Sequence, residues 1–95
     1  MTQVQIKESE EGYRLEIAGH AGNVEICNSC STLSYALVHT LMNEDVKHKA
    51  HYIGPGLTDI EIMEKSDRVK DYLTVILYGY GALAHQYPDN VQVIQ

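Results

Sequence analysis

The first part of the chain alternates polar and apolar side chains in two short stretches. Val4 and Ile6 are flanked by polar residues, and Leu15 and Ile17 alternate with Arg14, Glu16 and Ala18. Such alternation turns one side of a strand towards a core and the other towards solvent. Because Glu10-Glu11-Gly12 lies between the stretches, the pattern predicts a hairpin of two half-buried strands.

The pattern then changes from a loop to a helix. The segment from Gly19 to Ser29 has no periodicity and contains two glycines and two asparagines, which is typical of a loop that holds functional groups. From Cys30 onward a spacing of three and four predicts the first helix, with Ser29 as its N-cap. The repeating positions are Leu33, Ala36, Leu37, Thr40, Leu41 and Glu44.

The second half of the chain repeats the order strand, strand, helix. The turn Gly54-Pro55-Gly56 separates two predicted strands, a short one at His51 to Ile53 and a second over Leu57 to Ile62. We then expect a second helix, capped at Ser66 or Asp67 and stopped by Pro88, and a closing strand at Val91 to Ile94. The element order β-β-α-β-β-α-β predicts an α+β sandwich, formed by one compact domain over residues 1–95.

The second predicted helix is apolar on two sides. Its main stripe runs from Val69 to Tyr87, and a further set consists of Val75, Tyr78 and Ala82, with Gly79 and Gly81 leaving the backbone open to close approach. One small sheet covers only one side of a helix, so we expect the other side to meet a symmetry-related subunit in a homodimer. The alternative is a wide stripe enclosed by the chain's own domain.

Charge and hydropathy exclude several classes of protein. Thirteen acidic residues against seven Lys and Arg give a net charge of −6, and the scattered basic residues form no patch for nucleic acid. An acidic surface would instead attract a basic polypeptide. The longest apolar run is too short and interrupted to cross a membrane, and the N-terminus lacks the pattern of a secretion signal. We therefore expect a cytoplasmic protein with free thiols.

Cys30 and His20 are the residues with the clearest chemical potential. A cysteine where a helix begins would be ionised more easily, because free N–H groups and the helix dipole favour negative charge there. His20 precedes Cys30 by ten residues, and an intervening loop could bring imidazole to sulfur as a nucleophile and its base. The same N–H groups could bind the oxyanion of a tetrahedral intermediate.

Other uses of the cysteines remain open at this point. Cys27 and Cys30 form a C-x-x-C sequence, which occurs in thiol-disulfide proteins, although a hairpin rather than a βαβ unit precedes it. Zinc could combine both thiols with His48 and His51, but the spacing of these histidines is tighter than usual. A buried structural cysteine is the simplest alternative. We expect neither a metal nor a cofactor.

Two motifs resemble those of the ribosomal-processing cysteine proteases, the Prp family. Gly19-His20-Ala21 is similar to the family's G-H-A motif, and Cys30-Ser31-Thr32-Leu33-Ser34 is similar to its C-x-x-[VL]-S motif. The C-terminal part resembles the family's final helix and strand, through Tyr80-Gly81-Ala82-Leu83, Gln86-Tyr87-Pro88 and Val91-Gln92-Val93. The resemblance covers essentially the whole chain.

The resemblance implies a homodimeric cysteine endopeptidase with Cys30 as nucleophile and His20 as base. Its substrate would be the N-terminal extension of a large-subunit ribosomal protein, cut after paired aromatic residues, or a phage scaffold or capsid protein. The loop from Ala21 to Ser29 would correspond to the family's mobile flap. Peptide contacts are then expected from five residues of the flap and of the helix start: Gly22, Asn23, Asn28, Ser31 and Ser34.

Two departures from the family pattern leave alternatives open. The interval between His20 and Cys30 is shorter than in the family, and Cys27-Asn28-Ser29 stands where the family has an aspartate-containing sequence. Glu25 could supply the missing carboxylate, or Asn23 or Asn28 could orient the imidazole through an amide. Aligning Glu25-Ile26-Cys27 on the motif would instead make Cys27 the nucleophile. A dimeric module that binds peptides without cleaving them is a further alternative.

Overall fold

The structure is a computed structural model that describes residues 1–54 and 56–94. Pro55 of the predicted turn and Gln95 lie outside the described residues. The elements follow the predicted order β-β-α-β-β-α-β, which confirms the fold class. Their bounds are β1 Thr2–Glu8, β2 Tyr13–Ala18, α1 Val24–Asn43, β3 His48–Gly54, β4 Leu57–Ile62, α2 Asp67–Gln86 and β5 Val91–Ile94.

The five strands form one mixed sheet in the order β3-β4-β2-β1-β5. β1 pairs antiparallel with β2 and parallel with β5, while β4 pairs antiparallel with both β2 and β3. The register places Val4, Ile17 and Thr58 in one row across the sheet, and all three are buried. Because buried residues of both helices join the same core, the helices form a second layer on this face.

The opposite face of the sheet is polar. Its central row holds Gln5, Glu16 and Asp59, and Arg14 donates two hydrogen bonds to the Asp59 carboxylate at 2.8 and 2.7 Å. These contacts with the guanidinium hold the pKa of Asp59 below its usual value. The alternation seen in the sequence therefore separates a core-facing side from a charged outer side.

The start of α1 differs from the prediction. The helix begins at Val24 rather than at Cys30, and its N-cap is Asn23, whose side-chain oxygen accepts hydrogen bonds from the amides of Glu25 and Ile26. Ser29, the predicted cap, lies inside the helix and donates its hydroxyl to the Glu25 carbonyl at 3.0 Å. The prediction failed because the buried positions of the first two turns include a cysteine among polar neighbours, which hides the helical repeat.

β3 is longer than the predicted strand at His51 to Ile53. Its pairing with β4 shifts between Ala50 and Tyr52, so the strand contains a bulge at His51. A bulge places one extra residue in the strand and interrupts the alternation of faces. This break explains why only the end of the strand was visible in the sequence.

α2 begins after its predicted cap, Ser66, whose hydroxyl accepts the Val69 amide hydrogen. Its inner stripe packs into the core, whereas Val75 and Tyr78 of the second apolar set are 70% and 75% exposed. Gly79 allows α1 to approach closely, since a Cβ there would lie 2.8 Å from Leu33 Cδ2. Among the described residues, neither helix is long and apolar enough to cross a membrane.

Candidate active site

A small cavity lies at one end of the sheet, between α1 and the strands. It forms where β2 ends, β1 begins and the chain turns from β3 into β4. Its volume is about 30 Å³, enough for roughly two water molecules. The lining residues are Thr2, Ile17, Gly19, Cys27, Cys30, Ser31, Ser34, Gly54, Gly56, Leu57 and Thr58.

Cys30 lies in this cavity wall with its side chain turned towards the core. It occupies the second turn of α1 and is 6% exposed. Burial raises the pKa of the Cys30 thiol, and the nearby Cys27 raises it further. The sequence predicted the opposite direction, because it placed Cys30 at the helix start. Since the helix begins six residues earlier, its unpaired N–H groups do not surround Cys30, and the predicted oxyanion site there is wrong.

A buried hydrogen-bond network fixes the backbone of Cys30. The Ser34 and Tyr80 hydroxyls lie 2.6 Å apart, and each lies within hydrogen-bond range of the Cys30 carbonyl oxygen, at 3.2 and 3.1 Å respectively. One hydroxyl proton can point to the carbonyl while the other hydroxyl donates to its neighbour. Tyr80 comes from α2, so the network joins the two helices at the residue that carries the thiol.

Burial also changes the acidity of Tyr80. Loss of contact with water raises the pKa of its phenol well above the usual value, and the hydrogen bond with Ser34 offsets only part of this increase. Tyr80 therefore stays neutral and keeps its proton for the network.

His20 lies beside the cavity rather than in its wall. It is exposed, and its ring packs against the Cα of Gly56, where an added Cβ would lie 2.7 Å from His20 Cε1 and Nε2. A backbone hydrogen bond joins the two segments beside this contact: the Gly19 amide donates to the Gly56 carbonyl at 3.0 Å. The structure thus brings His20 to the rim of the Cys30 cavity without a hydrogen bond between them.

The five predicted peptide-binding residues fall into two groups. Ser31 and Ser34 line the cavity with Cys30. Gly22, Asn23 and Asn28 are exposed and do not line it. The Asn23 side-chain oxygen caps the helix. Asn28 lies within α1 rather than in a loop. The predicted flap is therefore confined to a short connection between Gly19 and Asn23.

Cys27 is the second thiol of the cavity. Both cysteines are free, and Cys27 is less buried than Cys30. The histidines considered for zinc have other partners: His48 Nδ1 lies 2.7 Å from the Val46 carbonyl, and His51 Nε2 lies 3.0 Å from Glu61. Within residues 1–54 and 56–94, no group of three or more potential ligands could hold a metal ion.

Two features of the site were not found from the sequence. Tyr80 was assigned to the apolar stripe of α2, because its helical spacing does not reveal that its hydroxyl reaches Cys30. Gly56 was identified only as part of a turn. The signal for its role was the second glycine of Gly54-Pro55-Gly56, since a turn with glycine at both ends can lie close to another chain segment.

Comparison with solved structures finds the same arrangement of helices and strands in Prp, an essential ribosomal processing protease from S. aureus. Its structure with a covalently linked product peptide has a TM-score of 0.84 at 19% identity, covering 98% of this chain and 97% of that chain. Its complex with a substrate peptide gives 0.83 at 17% identity, with 99% and 98% covered. SMU.848 from Streptococcus mutans gives 0.74 at 24% identity, with 98% and 91% covered.

Neither a family model nor a curated relative matches the sequence. At these identities the solved structures establish a shared fold. The chain therefore has the fold of the ribosomal processing protease Prp, as its two sequence motifs predicted.

Proposed function

We propose that this protein is a cysteine endopeptidase with Cys30 as nucleophile and His20 as general base. The observation that carries the proposal is the placement of Cys30 in a cavity wall with His20 at its rim. The fold adds support, because Prp has been crystallised with a substrate peptide and with a covalently linked product peptide.

The raised pKa of Cys30 indicates how the reaction starts. At neutral pH the buried sulfur holds its proton, so the proton must leave as the sulfur attacks, and His20 Nε2 or Nδ1 accepts it. A bond forms between Sγ and the scissile carbonyl carbon. The imidazolium then gives the proton to the amine of the breaking peptide bond, which leaves a thioester. Water, deprotonated by His20, attacks the thioester and releases the acid and the thiol.

A peptide can enter only after the cavity widens. Its present volume accommodates water but not a side chain. The connection between Gly19 and Asn23 lies at the rim, with Gly22 exposed, at φ 77° and with open space around its Cα. We infer that this connection pivots at Gly22 on binding and opens the cavity, while His20 keeps its contact with Gly56.

For the substrate we propose the N-terminal extension of a large-subunit ribosomal protein, or a scaffold or capsid protein of a phage. The first of these is a basic protein, and the net charge of −6 would attract it. We also propose that the enzyme acts as a homodimer in the cytoplasm.

Cleavage of a synthetic peptide tests the proposal. The peptide spans the cleavage site of the ribosomal protein from the same organism, and mass spectrometry reads the products. We expect Cys30→Ala to lose activity by roughly a thousandfold or more. Cys27→Ala, which changes the other thiol of the same cavity, serves as the matched control and should retain most of the activity. Full activity of Cys30→Ala would refute the assignment, and binding of the peptide by wild type without cleavage would indicate a binding module.

A thiol-disulfide function is the second candidate, because Cys27 and Cys30 line the same cavity one helical turn apart. It predicts a reversible disulfide between them, detectable as a loss of two mass units that a dithiol reverses. Redox titration of the wild-type protein against glutathione measures this directly. Two thiols that stay reduced throughout the titration would exclude it.

A further inference from the structure

Among the described residues, no hydrogen bond orients the His20 ring. In Cys-His enzymes a carboxylate or an amide usually holds the imidazole in place. Of the histidines with ring hydrogen bonds in the described structure, His48 contacts a carbonyl and His51 contacts Glu61. No partner for the His20 ring is found among residues 1–54 and 56–94. The candidate Asn23 uses its side-chain oxygen to cap α1.

The turn residue Gly56, which directly precedes β4, lies against the His20 ring. Gly56 has φ +79°, and its Cα lies against the His20 ring so closely that any side chain would overlap it. The overlap involves Cε1 and Nε2, each 2.7 Å from an added Cβ, and Cδ2 at 3.5 Å. The contact thus lies at the Cε1–Nε2 side of the ring, so Nδ1 is the nitrogen left to accept the proton.

The same turn also holds the backbone next to His20. The Gly56 carbonyl accepts the Gly19 amide hydrogen at 3.0 Å, and both glycines line the cavity with Cys30. Gly56 therefore fixes the main chain immediately before His20 and limits where the His20 ring can lie.

We propose that Gly56 is a positioning residue for His20: the lack of a side chain at position 56 lets the imidazole pack on the turn beside the Cys30 cavity. This inference rests on the proposed function, in which His20 is the base. Packing on a glycine takes the place of the carboxylate that orients the histidine in related chemistry.

Gly56→Ala is the variant that tests the role. The new methyl group would displace the His20 ring, which is exposed and can move without unfolding the protein. We expect kcat for peptide cleavage to fall by roughly a hundredfold with little change in KM, because a shift of about 1 Å in a catalytic group has an effect of this size. We also expect the rate of Cys30 alkylation by iodoacetamide near neutral pH to fall to that of His20→Ala.

Two controls separate positioning from strain and from blockage of the cavity. Gly22 has nearly the same backbone, φ +77°, but open space around its Cα. Gly22→Ala should therefore lower the melting temperature about as much as Gly56→Ala, by roughly 5 °C or more, if strain alone destabilises both. In the double variant Gly56→Ala/His20→Ala, alkylation should be no slower than in His20→Ala alone, since the ring that the methyl group displaces is absent.

The outcomes distinguish this inference from the proposed function. Wild-type alkylation and turnover in Gly56→Ala, with a loss in His20→Ala, would overturn the role of Gly56 only. A further loss in the double variant would also overturn it, because the methyl group would then act directly on the cavity. Equal alkylation of wild type and His20→Ala would contradict His20 as base and, with it, the positioning role.

A measurement on the wild type covers the case in which Gly56→Ala does not fold. Nuclear Overhauser effects between the His20 ring protons and the Gly56 Hα protons report the contact directly. We expect them in the unmodified protein, and their absence from an assigned spectrum would overturn the proposal.

Discussion

At the scale of single residues, the Tyr80 hydroxyl is the clearest stabilising polar group. It is fully buried, and it joins α2 to the Cys30 carbonyl and to Ser34. Tyr80→Phe removes one hydroxyl from a closed network and leaves Ser34 to donate to the carbonyl. We expect a loss of about 1 kcal/mol in the free energy of unfolding, measured by urea denaturation. Tyr78→Phe, which changes an exposed tyrosine two residues away, is the control and should have almost no effect. Equal stability of the two variants would show that the network contributes nothing.

The burial of the Cys30 thiol predicts how the stability of the protein depends on pH. Because the folded protein raises the pKa of Cys30, the unfolded chain ionises first as pH rises, starting near the ordinary thiol pKa of 9.0. The thiol's contribution to stability is therefore complete below that pH and declines above it, by up to about 1.4 kcal/mol per pH unit until the folded thiol also ionises. Other groups titrate in the same range, so the difference between wild type and Cys30→Ala is the quantity to measure between pH 8 and pH 10. A constant difference would contradict the raised pKa.

At the scale of elements, the sequence predicted the strands and helices better than their ends. Val4, Ile6, Leu15 and Ile17 identify the first hairpin because each residue obeys a simple alternation with one buried face. The start of α1 could not be predicted in the same way. Its first buried residues are an isoleucine and a cysteine among Asn and Ser, which also suit a loop, and only the cap at Asn23 distinguishes the two.

The helix start can be tested through its cap. Asn23→Ala removes the acceptor for the amides of Glu25 and Ile26 and should cost about 1 kcal/mol in the free energy of unfolding. Ser29→Ala changes the residue that the sequence had suggested as cap. Because Ser29 lies within the helix, alanine there should be neutral or slightly stabilising. The reverse order of the two effects would show that α1 begins near Cys30.

In the candidate site, the residues that belong to continuous sequence motifs were predicted, whereas the contacts between distant parts of the chain were not. Its two main residues were identified from motifs, because Gly19-His20-Ala21 and the segment from Cys30 to Ser34 are continuous in sequence. Tyr80 and Gly56 were missed as site residues, since each reaches the site through a contact between distant parts of the chain. The direction of the pKa shift at Cys30 was also missed, because it depends on where the helix begins.

At the scale of the whole molecule, the outer face of α2 remains apolar in the isolated chain. Val75 and Tyr78 are among the most exposed apolar side chains, which supports the proposed homodimer. Val75→Asp would place a charge in that interface and should convert a dimer to a monomer in sedimentation equilibrium. Met42→Asp, an equivalent change on α1, is the control and should leave the dimer intact. A monomeric wild type would refute the proposed homodimer.

We propose that Cys30, buried in the cavity at one end of the sheet, is the nucleophile. The most direct measurement is to treat the protein with a substrate-derived peptidyl chloromethyl ketone and to map the modified residue by mass spectrometry. We predict one adduct per chain, on Cys30, with the yield lowered in His20→Ala and unaffected in Cys27→Ala. Modification of Cys27 alone, or unchanged labelling after His20 is removed, would contradict the account.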